Sequence, residues 1–424
     1  LRTALFVLLL GWIRRRAGWS WGVLLPLAWL PFEWAQTFGD LRMTGDHMAL
    51  SLSRYPFLVQ FADLVGPYGV GLFALAVNGL LFETLLRRGR QVGRRALAAL
   101  ALLLALVLGY DGWAWTRPVE AQRTLRVALV QPDIPLLLKR SAGSEAEQRA
   151  TLERLTRQAA ELEPELIVWP ESAYPVPLYH WQERPESYQL IDAERLAVEL
   201  GIPLLVGAEY VKVRTRSDHD WYNAAMLVHG DGRLDPTWSA KIYLVPFVEA
   251  TPFRGLLGPL VEGRGGEWHW LAGGFEPGPR SQVIAINGAN VGVQVCYEQL
   301  FPDLARDLKN AGAEFQVVVT NDAWFGRTPF QYFLANAPRV RAIENRTSFV
   351  RVANTGISGH IDPLGRVVAE TRLNERTIVR ASLAVATIDT VYSRNGEVLA
   401  WGSLAFWALG LAVCLFRRGR RGAQ

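Results

Sequence analysis

The sequence predicts an α/β layered domain inserted between membrane-spanning helices. Long apolar runs lie toward both ends of the 424-residue chain, and runs of strand length lie between them. Arginine clusters at Arg14–Arg16, Arg87–Arg95 and Arg417–Arg421 flank the long runs. The middle of the chain alternates strand-like and helix-like patterning, as strands layered with helices do.

Charge placement supports the membrane part. The net charge is +5, but setting aside the twelve arginines of the three clusters leaves the rest at −7. Basic residues that flank apolar runs belong to membrane topology, so no nucleic-acid partner is expected. Half of the residues are apolar, 16 are Trp, and the mean hydropathy of +0.10 is high for a soluble enzyme. The two cysteines, Cys296 and Cys414, make no disulfide framework, and Cys296 is the only thiol in the polar part. The six histidines form no short-range ligand pair, so neither a metal site nor another cofactor is expected.

Leu1–Trp12 is apolar and precedes its arginines, the reverse of a secretory signal. With no initial Met, it reads as the tail of a helix that starts upstream, in a chain truncated at its N-terminus. Expected spans follow near 21–38, 67–86 and 96–115, within a membrane unit 1–117. A bilayer needs roughly 20 apolar residues. The first span holds Pro26, Pro31 and Glu33; an intramembrane carboxylate faces a bundle interior or sits solvated at an interface. The segment 397–424 supplies a last span, Val398–Phe416, and a basic tail. Placing all three arginine clusters in the cytoplasm puts residues 118–396 on the outer face of the membrane.

Within that outer region, Leu125–Gln131, Leu166–Trp169, Ile202–Val206, Ala224–Val228, Val283–Ile286, Val291–Val295, Phe315–Thr320 and Phe349–Val352 read as strands. Glu145–Leu162 and Leu190–Leu200 have helical spacing, and Gly230–Gly232 and Pro363–Gly365 read as hairpin turns.

Polar residues concentrate where apolar runs end. Glu171 follows Leu166–Trp169, Lys241 opens the run that Glu249 leaves, and Cys296 ends Val291–Val295. Each has a plainer reading alone: a capping carboxylate, a solvated lysine, a small buried thiol. Together they can assemble one site. A thiol needs a base to become the thiolate nucleophile, which Glu171 can supply. A lysine ammonium can stabilise a tetrahedral oxyanion and lower a thiol pKa.

Five motifs occur in order: Trp169–Ser172 (WPES), Lys241–Glu249 (KIYLVPFVE), Cys296–Glu298 (CYE), Thr320–Gly326 (TNDAWFG) and Asn354–Ser358 (NTGIS). The chain thereby resembles the apolipoprotein N-acyltransferases, the membrane-embedded branch of the nitrilase superfamily. The resemblance implies a four-layer αββα nitrilase-like sandwich over Leu125–Thr390, with Glu171 as base, Lys241 as oxyanion stabiliser and Cys296 as nucleophile. Glu249, Tyr297 and Glu298 match supporting positions, and Asn321 and Trp324 fall in the fourth motif, where they can simply shape the cleft wall. The implied reaction moves an acyl chain from a phospholipid, through a Cys thioester, to the α-amine of a diacylglyceryl-cysteine on an apolipoprotein. The implied place is the bacterial inner membrane, with the catalytic domain outside the cytoplasm.

Several points bear on that expectation. Val248 stands where the family usually has Gly, and a β-branched residue resists φ > 0. An aromatic expected soon after Gln131–Pro135 is absent, with Arg140 near that place. The glycine-rich segment Phe253–Arg280, with Leu256, Leu257, Trp268, Trp270 and Phe275, suits a lipid-touching lid or an ordinary packed insertion. The runner-up function is a membrane-tethered amidase with the same three residues and water as second nucleophile. A non-catalytic membrane scaffold is the third. A serine hydrolase is disfavoured, because Gly356–Gly359 lacks the spacing of a nucleophile elbow.

Overall fold

A computed structural model describes residues 2–17, 20–45, 47–86, 90–117, 119–139, 141, 143–181, 190–215, 218–256, 274–279, 282–386 and 388–421. Arg140 and most of the expected lid, including Leu257, Trp268 and Trp270, lie outside the described residues. The chain divides into two compact units, Leu1–Pro118 with Thr390–Gln424, and Val119–Asp389.

The first unit begins with helices α1 (Arg2–Ala17), α2 (Trp21–Trp34), α3 (Ala62–Leu86) and α4 (Arg90–Thr116). The expected span at 21–38 is an α-helix that tightens before its end. Helix α2 has 14 residues, about 21 Å at the helical rise, and tightens into a 3-10 turn at Ala35–Thr37. That is shorter than the ~30 Å hydrocarbon layer. Two described helical stretches, Ala62–Leu85 and Gln91–Thr116, are long and apolar enough to cross a membrane. Within α3 the helical backbone is interrupted at Gly66, one residue before the expected start at Pro67. Gly66 takes φ 66° and ψ −174°, and Pro67, which lacks an N–H, opens the continuing helix. Helix α4 takes in Arg90, Arg94 and Arg95 of the second arginine cluster.

Glu33 is 2 % exposed and lies inside this unit, so the solvated alternative does not hold. Its Oε1 accepts the Met48 N–H and stands 3.2 Å from Nδ1 of His47.

Among the described residues the second unit holds thirteen strands in two sheets. Strands β1 (Arg123–Gln131), β2 (Leu166–Val168) and β4 (Leu204–Thr215) are parallel. Around them run β13 (Thr377–Val385), β5 (Asp218–Val228) and β6 (Leu234–Ala240), antiparallel to their neighbours, and β3 (Leu178–Trp181) along β4. The other sheet repeats the plan. Parallel β8 (Ala289–Val295), β9 (Phe315–Thr320) and β10 (Ser348–Ala353) are flanked by β7 (Val283–Ile286), β11 (Gly359–Ile361) and β12 (Val367–Glu370).

The sheets face one another, β1 and β13 against β10, and β5 and β6 against β8. After the short α5 (Leu136–Lys139), helices α6 (Glu145–Ala160) and α7 (Ile191–Leu200) cover the first sheet. Helices α8 (Pro302–Asn310) and α9 (Pro329–Asn345) cover the second. The result is the expected four-layer αββα sandwich. Its central strands are buried along their length and mostly apolar, because both faces are covered.

A short helix α10 (Val391–Asn395) and a long one, α11 (Val398–Arg421), return the chain to the first unit. Helix α11 packs on α2 for a definable reason. Pro31 has no N–H to donate to the Leu27 carbonyl four residues back. Ser403 Oγ and Trp407 Nε1 donate to that oxygen instead, at 2.5 and 3.0 Å.

Candidate active site

The expected base, lysine and thiol each stand where a strand has just ended, and the fold brings the three together. Glu171 follows β2 through Trp169 and Pro170. Trp169 is buried and its Nε1 donates to Thr156 Oγ1 on α6 at 2.9 Å, which anchors this strand end against the helix layer. Beneath it, a Cβ on Gly207 of β4 would lie 2.1 Å from the Pro170 carbonyl oxygen, so this close approach of backbones requires glycine.

Glu171 is 5 % exposed and held by both carboxylate oxygens. Asn223 Nδ2 donates to Oε1 at 2.6 Å, and the Asn321 N–H donates to Oε2 at 2.7 Å. Lys139 at the end of α5 donates its Nζ to the carbonyl of Ser172 at 2.6 Å, stabilising a residue in the left-handed region at φ 46°. Burial lowers this lysine to about 8, against the raising influence of Glu171 and Glu209.

Lys241 follows β6 and is fully buried. Its Nζ donates to Glu249 Oε1 at 2.7 Å and lies 5.7 Å from the centre of the Tyr297 ring. Glu249 also accepts the Val245 N–H through Oε2 at 2.9 Å, so one carboxylate closes the loop and holds the ammonium.

Cys296 follows β8 with φ 59°, in the left-handed region that a side chain rarely adopts; the cost is roughly 1–2 kcal/mol. Such a turn aims the side chain away from the strand it ends. The Cys296 carbonyl accepts from Gln299 Nε2 at 2.8 Å. Glu298 accepts the Val295 N–H at 2.7 Å, and the Ile242 and Tyr243 N–H groups at 2.6 and 3.0 Å. It therefore pins the backbone before Cys296 to the backbone after Lys241.

The electrostatics follow from burial and mutual proximity. Burial raises the Cys296 thiol well above its ordinary value, Glu171 adds to the rise, and Lys241 opposes it. Burial also raises Glu171, against the lowering effect of Lys241. Burial works to lower Lys241, but the negative charge of Cys296, Glu249 and Glu171 outweighs it and holds the ammonium well above its usual range. A lysine cation thus stands beside a thiol and a carboxylate that both hold their protons more tightly than usual. That set can generate a thiolate, neutralise an oxyanion and shuttle one proton. Among the described residues no group of acidic, histidine or cysteine side chains could hold a metal ion.

Tyr297 packs edge-on against Phe301, with 5.0 Å between centroids. Trp324 is 53 % exposed, on the turn Asp322–Phe325 that follows Asn321. Asn223, Lys139, Gly207, Gln299 and Arg351 also build this region, and sequence reading did not single them out. Only Asn223 carried a visible signal, an amide within the apolar run that ends β5.

The carbon-nitrogen hydrolase family model matches residues 126–393, and the apolipoprotein N-acyltransferase N-terminal domain model matches residues 1–80. The apolipoprotein N-acyltransferase of Geobacter metallireducens is 32% identical over 431 residues, covering 98% of this chain and 78% of that protein. The chain belongs to the apolipoprotein N-acyltransferase family. The apolipoprotein N-acyltransferase of Chlorobaculum tepidum is 29% identical, covering 92% of this chain and 76% of that one. A carbon-nitrogen hydrolase from Helicobacter pylori G27 aligns at TM-score 0.46 and 17% identity, covering 65% of this chain and 94% of that one. Family membership makes this an acyltransferase.

The departure at Val248 from the family pattern is absorbed locally. The left-handed position falls one residue earlier, on Phe247 at φ 63°, and Val248 is not among the positive-φ residues.

Proposed function

We propose that the chain moves an acyl chain from a membrane phospholipid, through a thioester on Cys296, to the N-terminal α-amine of a diacylglyceryl-cysteine on an apolipoprotein. The observation that carries this reading is the convergence of a buried carboxylate, ammonium and thiol at three strand ends, in a chain of this family.

In the first half-reaction Glu171 takes the thiol proton as Cys296 Sγ attacks the ester carbonyl. The Lys241 ammonium stabilises the oxyanion that forms. Collapse breaks the ester C–O bond, and Glu171 returns its proton to the departing lysophospholipid oxygen. In the second half-reaction the lipoprotein α-amine attacks the thioester carbonyl and gives a proton to Glu171. The C–S bond breaks, the amide remains, and the proton returns to sulfur. Glu249 holds Lys241 through both halves, and Glu298 and Tyr297 support the turn that carries the nucleophile.

A lipid donor suits the segments that follow β6 and β9. Phe247, Val248, Phe253 and Leu256 after β6, and Trp324, Phe330 and Tyr332 after β9, are large and exposed. Exposed apolar groups of this number suit contact with lipid. We place the catalytic unit on the outer side of the bacterial inner membrane, with the three arginine clusters in the cytoplasm.

Intact-mass measurement after incubation with phospholipid tests the reading. The expected result is one acyl adduct on Cys296, discharged by a diacylated lipopeptide and stable in water. Absence of any adduct, or its discharge by water alone, overturns it.

A further inference from the structure

We propose that the buried Arg351–Asp322 ion pair is a positioning device that locks the turn carrying Cys296 and the anchor of Glu171 into one frame. The inference extends the acyl-transfer reading, but its thiol-reactivity test does not depend on that reading.

Arg351 lies on β10 and Asp322 directly follows Asn321 at the end of β9; both are almost completely buried. Arg351 Nη2 donates to both Asp322 oxygens, at 2.9 and 2.7 Å, and Nη1 donates to the Ile357 carbonyl at 2.6 Å. Its Nε donates to Gln299 Oε1 at 3.1 Å, and the amide of that glutamine holds the Cys296 carbonyl. Asp322 accepts further from Thr320 Oγ1 at 2.9 Å, and its own carbonyl accepts from Gln331 Nε2 at 3.0 Å. The residue before it presents its N–H to Glu171. One guanidinium therefore connects the nucleophile's backbone, through a single glutamine, to the residue beside the base's anchor.

The local packing is cut to fit this pair. A Cβ on Gly356 would lie 2.0 Å from Asp322 Oδ2. The pair also acts electrically, because Asp322 is close enough to raise the Cys296 thiol. Breaking a buried pair leaves the remaining charge uncompensated. The two single substitutions should therefore push the thiol in opposite directions, which loss of structure alone would not do.

The test uses the full chain in lipid nanodiscs with Cys414→Ser, so that iodoacetamide reports Cys296 only. Asp322→Asn leaves Arg351 positive, and alkylation below the thiol midpoint should rise about tenfold. Arg351→Gln leaves Asp322 negative, and alkylation at the same pH should fall about tenfold. In both, the rate constant for Cys296 acylation by phospholipid should fall about 10- to 100-fold with the apparent KM nearly unchanged. Arg351→Lys, which keeps the charge but loses the forked geometry, should slow acylation and leave the midpoint in place. If Arg351→Gln does not fold, the near-isosteric Asp322→Asn carries the test. Shifts of the same sign in both variants, or a folded Asp322→Asn with wild-type alkylation and acylation, would overturn the proposal.

Discussion

Glu298 Oε1 accepts the Ile242 N–H at 2.6 Å, and through that bond the turn bearing Cys296 is tied to the turn bearing Lys241. The other oxygen of Glu298 accepts from Val295. Burial raises this carboxyl to about 7, against the lowering effect of the N–H groups of Tyr243, Val295 and Ile242 and of the Lys241 charge. Its folded value lies above its unfolded one, so its contribution to stability is complete below about pH 4.5 and is lost as pH rises through 7. Glu298→Gln removes that dependence and places an amide N–H₂ against a backbone donor. The variant should therefore be more destabilised relative to wild type at pH 5 than at pH 8, by ~2 kcal/mol. Unfolding midpoints at the two pH values check this, and turnover should fall about 10- to 100-fold.

The backbone of Cys296 separates strain from chemistry. At φ 59° any Cβ is unfavourable, so Cys296→Ala keeps the strain and Cys296→Gly relieves it. Both should be inactive. The Gly variant should be more stable than the Ala variant by ~1 kcal/mol. Denaturant titrations of the pair decide it, and equal stability would show that the neighbouring hydrogen bonds set the turn without strain.

Lys241 and Glu249 form a buried pair whose members are not equivalent. Lys241→Met leaves the Glu249 carboxylate without its ammonium and should cost about 3 kcal/mol. Glu249→Gln keeps an acceptor for Nζ and should cost less than half as much, while still slowing acylation. Melting of each variant, with acyl-adduct formation followed by mass, gives the ranking.

His360 on β11 is buried, and neither ring nitrogen has a hydrogen-bond partner among the described residues. Burial lowers it to about 4, against the raising influence of Asp362. The unfolded chain takes up this proton near pH 6.5 and the folded chain only near 4. Stability is therefore complete above 6.5 and declines as pH falls toward 4, by up to ~3 kcal/mol. His360→Phe should flatten the decline, and unfolding midpoints between pH 7 and 4 read it directly. An unchanged slope would assign the acid loss to other groups.

Parts of the fold were hard to read for specific reasons. Strand β6, LDPTWSA, contains Pro236 and little apolar run, yet it pairs because it lies at the edge of its sheet, where a missing N–H is tolerated. Strand β13 alternates buried and less buried residues and became a neighbour of β1 only through long-range pairing. Helix α9 carries Pro338 and a buried Arg341–Glu344 pair at 2.8 Å, both of which disguise an interior helix.

The sequence by itself determined the α/β alternation and the placement of Glu171, Lys241 and Cys296 at the ends of apolar runs. Those features are local, since a buried strand needs consecutive apolar residues and polar chemistry must begin where burial ends. Only the tertiary structure decided what holds the three in place. Asn223, Arg351 and Gly207 act on elements far apart in the chain. Pairing and register, not periodicity, choose those partners, so no reading of one segment at a time could have found them.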